Sequence, residues 1–309
     1  MIAFACSVSE PEPYIRYAEP GIRRAAEPDS EVLAFAAVDT ISRSYNLLLD
    51  AGSRHDDLEA LVIVHPHAEI NDAELCAKVR QALRDPEVAV VGCAGATGVR
   101  SIAWWDGSIS AGAVTHAYTD HGGGRLPGFP WTTTGPAPAE VEVIDGFLMV
   151  LSPWAVRNVR FDEELTLGHG YDVDYCLQVR AAGRKVIAAD LDVIEHRSLE
   201  VISDLELWVE SHIAVSRKWA DRMPGSETGG ETPWKERARR AEAEREAARA
   251  VAYFKRLGLE ARVDTLERAM EEATSTVSWR LTAPLRRINM WRRARGKQEA
   301  DQPRTRGWR

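Results

Sequence analysis

The stretch "ALVIVHPHAEIND" (residues 60–72) decides the fold class. Leu61 to Val64 is a short apolar run, which reads as a buried strand. It stops abruptly at His65-Pro66-His67, and "DAELCAKVRQALR" follows, with Leu75, Val79 and Leu83 at helical spacing and Asn71 or Asp72 available as N-cap. The same alternation surrounds it. "MIAFACSV", "EVLAFAAV" and "VAVVGCAG" read as further strands. "PYIRYAEPGIRRAA", interrupted by Pro20, reads as a helix or a pair of turns, and "SRSYNLLLDAG", closed by Gly52, as a short helix. Buried strands linked by helices imply a mostly parallel sheet. Ligands of such sheets bind beyond the carboxyl ends of the strands, where Ser7, Asp39, His65, His67 and Gly95 fall.

Composition narrows the function. Apolar residues are 45% and charged residues 28% of 309, as in an ordinary globular protein. The start lacks the basic segment and apolar length of a signal peptide, and no run approaches bilayer length. Cys6, Cys76, Cys93 and Cys176 are isolated and set among apolar neighbours, which predicts reduced thiols and a cytoplasmic protein. The net charge of −8 is unevenly spread: residues 231–309 hold 20 Lys+Arg against 12 Asp+Glu. An acidic body with a basic tail argues against nucleic-acid binding by the body. Neither a GxxxxGK[ST] loop nor a GxGxxG fingerprint is present.

Further along, residues 96–139 are rich in Gly, Pro, Thr and Trp and read as a long functional loop or irregular hairpin. "EVEVIDGFLMVLSP" returns to strand character, "DVDYCLQVRAAG" is a helix ending at Gly183, and "KVIAADLDVIEH" is a strand ending at His196. "PGSETGGETP" marks a linker, giving a body of 1–222, a linker of 223–233, a helical segment of 234–277 with Gly258 as a break, and a basic tail of 278–309. Leu259, Val263, Leu266, Met270, Ala273 and Val277 repeat at spacings of four and three. This seam serves either a helical hairpin on the body or a homodimer. In the tail, Leu281, Leu285, Ile288 and Trp291 share a helical face opposite arginines, a pattern for peripheral contact with an anionic membrane or for a protein partner.

Residues 143–196 resemble the acceptor-side half of family-2 glycosyltransferases of the GT-A fold, through Asp145-Gly146, Phe161-Asp162-Glu163, Asp172-Val173-Asp174-Tyr175-Cys176, Arg180, Gly183 and His196. The body as a whole is similar to a shorter glycosyltransferase-like subfamily, through Tyr45-Asn46, His65-Pro66-His67 and His169-Gly170-Tyr171-Asp172-Val173-Asp174. The resemblance implies an α/β fold: a GT-A-like, mostly parallel sheet flanked by helices, here with a C-terminal helical tail. It implies transfer of a sugar from a nucleotide-sugar donor to a hydroxyl acceptor, with inversion; the membrane-surface pattern of the tail, by analogy, suits a glycan or lipid-linked acceptor in cell-envelope glycan or glycolipid synthesis. Asp172 matches the family's base, and a helix N-terminus favours its ionised form.

Ser7, Asp39, His65 and His67 match the donor and diphosphate side, although Asp39 serves equally as a helix cap. Asp145 and Gly146 lie where the family's acceptor and sugar sites begin; on that side Trp104, Trp105 and Trp131 offer rings for stacking on a sugar or serve as small-cluster anchors, and Asp174 caps the helix or orients a neighbour. A divalent cation, Mn²⁺ or Mg²⁺, goes with the resemblance. The chain departs from the pattern there, because His67 stands where the family has a metal-binding aspartate. His67, Glu69 and His196 make a modified metal site, or His67 meets the diphosphate directly, or metal binding is lost. The alternative function is a non-catalytic nucleotide-sugar or glycan-binding protein on a degenerate fold of this kind.

Overall fold

In the computed structural model, the residues described are 1–107, 109–120, 123–127, 138–166, 168–198, 204–219, 233–276, 279 and 282. Trp131 and most of the 278–309 tail lie outside them. The strands are β1 (Ile2–Val8), β2 (Glu31–Ala36), β3 (Ala60–Val64), β4 (Ala68–Ile70), β5 (Val88–Gly92), β6 (Ala94–Thr97), β7 (Ile109–Gly112), β8 (Val114–Tyr118), β9 (Gly124–Pro127), β10 (Ala139–Val141), β11 (Val143–Ile144), β12 (Leu148–Leu151), β13 (Lys185–Ala188) and β14 (Val193–His196). The helices are α1 (Pro11–Pro13), α2 (Glu19–Ala25), α3 (Ile41–Gly52), α4 (Leu75–Ala82), α5 (Pro153–Asn158), α6 (Tyr171–Ala181), α7 (Leu205–Lys218) and α8 (Pro233–Ser275).

The apolar runs assemble into a seven-stranded sheet ordered β10-β13-β5-β12-β3-β1-β2. β1, β2, β3, β5 and β13 run in one direction, as the GT-A-like expectation requires. β12 runs against its neighbours β3 and β5. That reversal brings its entry, Asp145-Gly146-Phe147, to the carboxyl end of the parallel strands; the His65 N–H donates to the Phe147 carbonyl at 2.9 Å. Every residue of β3, β5 and β12 is buried. Fully buried side chains such as Phe4, Leu61 and Ile63 each contribute about 1.5–3 kcal/mol. The four cysteines are buried and free.

Three local expectations change. The segment around Pro20 is helical throughout 11–25, because a π-helical turn at Tyr14–Ala18 precedes α2 and accommodates the N–H that Pro20 lacks. The run from 139 divides into β10, β11 and β12, which pair with β13, with β6, and with β3 and β5. The run from 185 to 196 divides at Asp192, which takes φ 42 after its N–H meets the Asp190 carboxylate. β14 thereby leaves the main sheet and joins a second one, ordered β4-β14-β8-β9.

The chain forms two compact units, residues 1–258 and 259–309. α8 passes through Gly258 without a break. Among the described residues no helix is long and apolar enough to cross a membrane.

Candidate functional site

α6 starts at Gly170, whose φ of 78 is easy only for glycine. In its first turn Asp172 accepts from the backbone N–H of Val173 and of Gly146, both at 2.9 Å. Gly146 is required here: a Cβ would press into the Tyr171 ring, 2.7 Å from Cζ. The Asp145 carboxylate accepts from Phe147 N at 3.0 Å and from Trp104 Nε1 at 3.1 Å. Both carboxyls are half-buried. Burial pushes Asp172 above the ordinary carboxylate range, although its backbone hydrogen bonds pull the other way. Desolvation therefore outweighs the helix-terminus effect expected from the sequence. Asp145 is pushed up as well, by burial first and then by the charges of Glu195 and Asp172.

Opposite these acids stands Arg197, one third exposed, with Nε 3.2 Å from Glu195. Glu195 is buried and also accepts from His116 Nδ1 at 3.4 Å. Burial works against its charge, but Arg197 and His116 prevail and hold it below the usual range. His65 is kept neutral by burial and by the nearby Arg197.

On the other side of β14, His196 Nε2 donates to Glu69 at 2.8 Å, and Tyr17 stacks on the His196 ring at 3.8 Å. The His67 Nδ1–H donates to the His196 carbonyl at 2.7 Å, so Nε2 is the ring nitrogen left to meet another group. The Glu10 carboxylate stands 3.6 Å from that nitrogen. Glu12, Arg16, Tyr17, His67, His196 and Arg197 contribute to a cleft of about 190 Å³.

A divalent cation needs oxygen and imidazole ligands that converge. Among the described residues no group of three or more His, Cys, Asp or Glu side chains does so. Glu69 is engaged with His196 and contacts Arg24, so the three expected ligands do not face one point. His67 Nε2 and the Glu10 carboxylate, 3.6 Å apart, are two donors and do not by themselves make a cation site.

A second cleft, of about 290 Å³, opens where β1 and β2 end. Ser7, Phe35, Val38 and Leu47 line it, and the three apolar side chains are 38–48% exposed. Ser44 pins the adjoining loop by bonding both the N–H and the carbonyl of Val38. Thr40, rather than Asp39, caps α3. Asp39 is exposed in the left-handed region, φ 56, a conformation uncommon for aspartate.

Other singled-out residues support the site from behind. Asn46 bonds Phe161 through its carbonyl and N–H and also bonds Glu163, locking the Phe-Asp-Glu loop. Tyr45 packs edge-on against Phe161 and Tyr171. Asp174 turns away to Lys218, Trp219 and Gln178, each at 2.8 Å. Trp104 is buried and meets the site through Asp145, while Trp105 packs on Trp104 and Phe254.

Sequence reasoning missed Arg197 and Glu195. The signal was present in "IEHR": alternation along a strand turns Glu195 and Arg197 to the side opposite His196. Arg16 and Tyr17 carried no such signal, since only folding brings them to β14.

The family model described as a glycosyltransferase-like family matches residues 14–203. The chain is 28% identical over 236 residues to the streptomycin biosynthesis protein StrF of Streptomyces griseus, across 74% of this chain and 78% of that protein. Among solved structures, it is similar to the mannosyltransferase PcManGT of Pyrobaculum calidifontis, determined with GDP-Man and Mn²⁺ (TM-score 0.42, 12% identity, 91% of this chain and 81% of that one). It is also similar to GalNAc-T7, determined with UDP, GalNAc and Mn²⁺ (TM-score 0.44, 11% identity, 82% of this chain and 56% of that one).

Proposed function

The chain belongs to the glycosyltransferase-like family, and from this premise we propose that it transfers a sugar from a nucleotide-sugar donor to a hydroxyl acceptor with inversion. Asp172 takes the acceptor proton as the acceptor oxygen bonds to the anomeric carbon. The bond from that carbon to the diphosphate breaks, and the diphosphate leaves with the electron pair. The observation that carries this reading is the Asp172 carboxylate: half-buried, oriented by two backbone N–H groups, and set at the carboxyl end of the parallel strands.

The apolar cleft beside Ser7 and Phe35 suits a nucleobase, with Asp39 within the adjoining loop for a ribose or base contact. The cleft lined by Arg16, His67 and Arg197 suits the diphosphate. A divalent cation, when bound, neutralises the leaving diphosphate, and His67 with Glu10 would supply two of its ligands. The likeness to a streptomycin biosynthesis protein supports a biosynthetic role.

The test is a thermal-shift screen of UDP-, GDP- and dTDP-sugars with and without Mn²⁺, followed by transfer and hydrolysis assays on the stabilising donor. A matching donor at a hundred times its Kd raises the midpoint by roughly 5–10 °C. Wild-type turnover that is lost in Asp172→Asn, with the shift retained, is the expected result. Binding without any wild-type turnover would favour the non-catalytic reading, for which the substitution of His67 for the expected carboxylate is the specific motive.

A further inference from the structure

Helix α8 carries two apolar stripes that do different things. Ala243, Ala247, Ala250 and Phe254 are spaced by four and three and are buried within the 1–258 unit. A second stripe begins five residues after Phe254, on another face of the helix. Leu259, Val263, Leu266 and Met270 are 63%, 53%, 61% and 69% exposed, and Ala273 is exposed beside them. Four large apolar side chains in twelve residues, on a helix otherwise dense in charge, mark a surface meant to be covered.

We propose that a second copy of this chain covers it, as a parallel, in-register two-stranded coiled coil. Three features of the helix select that occupant. The spacing assigns Val263 and Met270 to heptad position a, and Leu259, Leu266 and Ala273 to d. Among parallel coiled coils, valine at a with leucine at d, as at Val263 and Leu266, favours two strands. The flanking charges then fix the direction. Lys255 and Arg262 fall at g, and Glu260 and Glu267 at e. In a parallel pair each g residue meets the e residue five positions on in the other copy, so Lys255 faces Glu260 and Arg262 faces Glu267. An antiparallel pair would set e against e and g against g, opposing glutamate to glutamate and cation to cation. Away from the seam, Asp264 and Arg268 form an ion pair within one helix at 3.1 Å.

The seam is short, so association is expected to depend on concentration. Sedimentation velocity of the full chain over roughly 1–200 µM tests it. The wild type is expected to pass from monomer to dimer, and Leu266→Glu to weaken dimerisation at least tenfold, with an unchanged circular dichroism spectrum. Arg262→Glu and Glu267→Lys are each expected to weaken self-association, and an equimolar mixture of the two to restore it. That pattern is specific to the parallel register, because each single swap creates a like-charge g–e contact only there. A wild type that stays monomeric throughout overturns the proposal. A dimer indifferent to Leu266→Glu, or to both single charge swaps, overturns it as well.

Discussion

The first turn of α6 presents two aspartates to two different parts of the molecule. Two residues along a helix is a rotation of about 200°, so Asp172 and Asp174 point in nearly opposite directions. Asp172 faces the carboxyl end of the sheet and is oriented by the backbone N–H groups of Gly146 and Val173, with the Arg197 charge a weaker influence. Asp174 faces α7 and is held by the Lys218 ammonium, the Trp219 indole and the Gln178 amide. One carboxylate is oriented without being neutralised, and the other is neutralised and covered. The contrast teaches that an acidic pair in a sequence divides its work by partner type. A cation partner secures structure, whereas neutral donors and burial leave a basic oxygen ready to accept a proton.

Replacing each in turn separates the two roles. Asp172→Asn keeps the shape but removes the proposed base, and kcat is expected to fall by about 10²–10⁴ with donor affinity unchanged. The pH profile adds a second readout. As the proposed base Asp172 would act only when ionised, and burial raises its pKa, so kcat/KM is expected to rise with pH through a range above the ordinary aspartate value of about 3.9. Stability moves the other way. A carboxyl whose folded pKa is raised gives its full contribution below the unfolded pKa and loses it as pH rises through the folded one. Asp172 and Asp145 therefore weaken the fold over the range in which activity grows. An activity midpoint at or below the ordinary aspartate value would break the contrast.

Asp174→Asn has the smaller and differently placed effect. It deprives Lys218 of a carboxylate, but that lysine is 31% exposed and also reaches Asp162, so water and Asp162 relieve part of the loss. About 2 kcal/mol of stability is expected to go, below the range for breaking a fully buried pair. Urea unfolding should show a lower midpoint, and the folded fraction should keep the wild-type kcat. A loss of kcat with an unchanged midpoint would assign Asp174 to the reaction instead.

What could be read in advance follows the same division. Residues 61–64 declared a buried strand because consecutive apolar residues leave no face for water, and the helix from Asp172 to Gly183 was legible as a pattern. The role expected of Asp172 came from the resemblance, not from that pattern. The splits at residues 145 and 192 were hidden, since each depends on which distant strand offers free N–H and carbonyl groups. The sequence shows that β10, β11 and β12 are extended, but not that they pair with three different partners. His67, Glu69 and His196 were grouped from their strand ends. Folding spends Glu69 and His196 on each other and leaves His67 facing Glu10, a residue of the loop after β1. Side-chain pairing across strands is a tertiary property, and it decided the chemistry of the cleft.

The smallest effect tests how far the neutral-donor side extends. Trp104 is buried, so its ring reaches the site only through its indole N–H, which donates to Asp145 at 3.1 Å. Trp104→Phe keeps most of the ring and removes that one donor. Loss of a hydrogen bond to the charged form raises the Asp145 pKa further and costs about 1 kcal/mol, or roughly fivefold in kcat/KM. If Asp145 matters through its orientation, Asp145→Asn should absorb the effect, so that adding Trp104→Phe to it changes kcat/KM by less than twofold. Full additivity of the two substitutions would mean that Trp104 acts on the sugar through its ring and not through the carboxylate it holds.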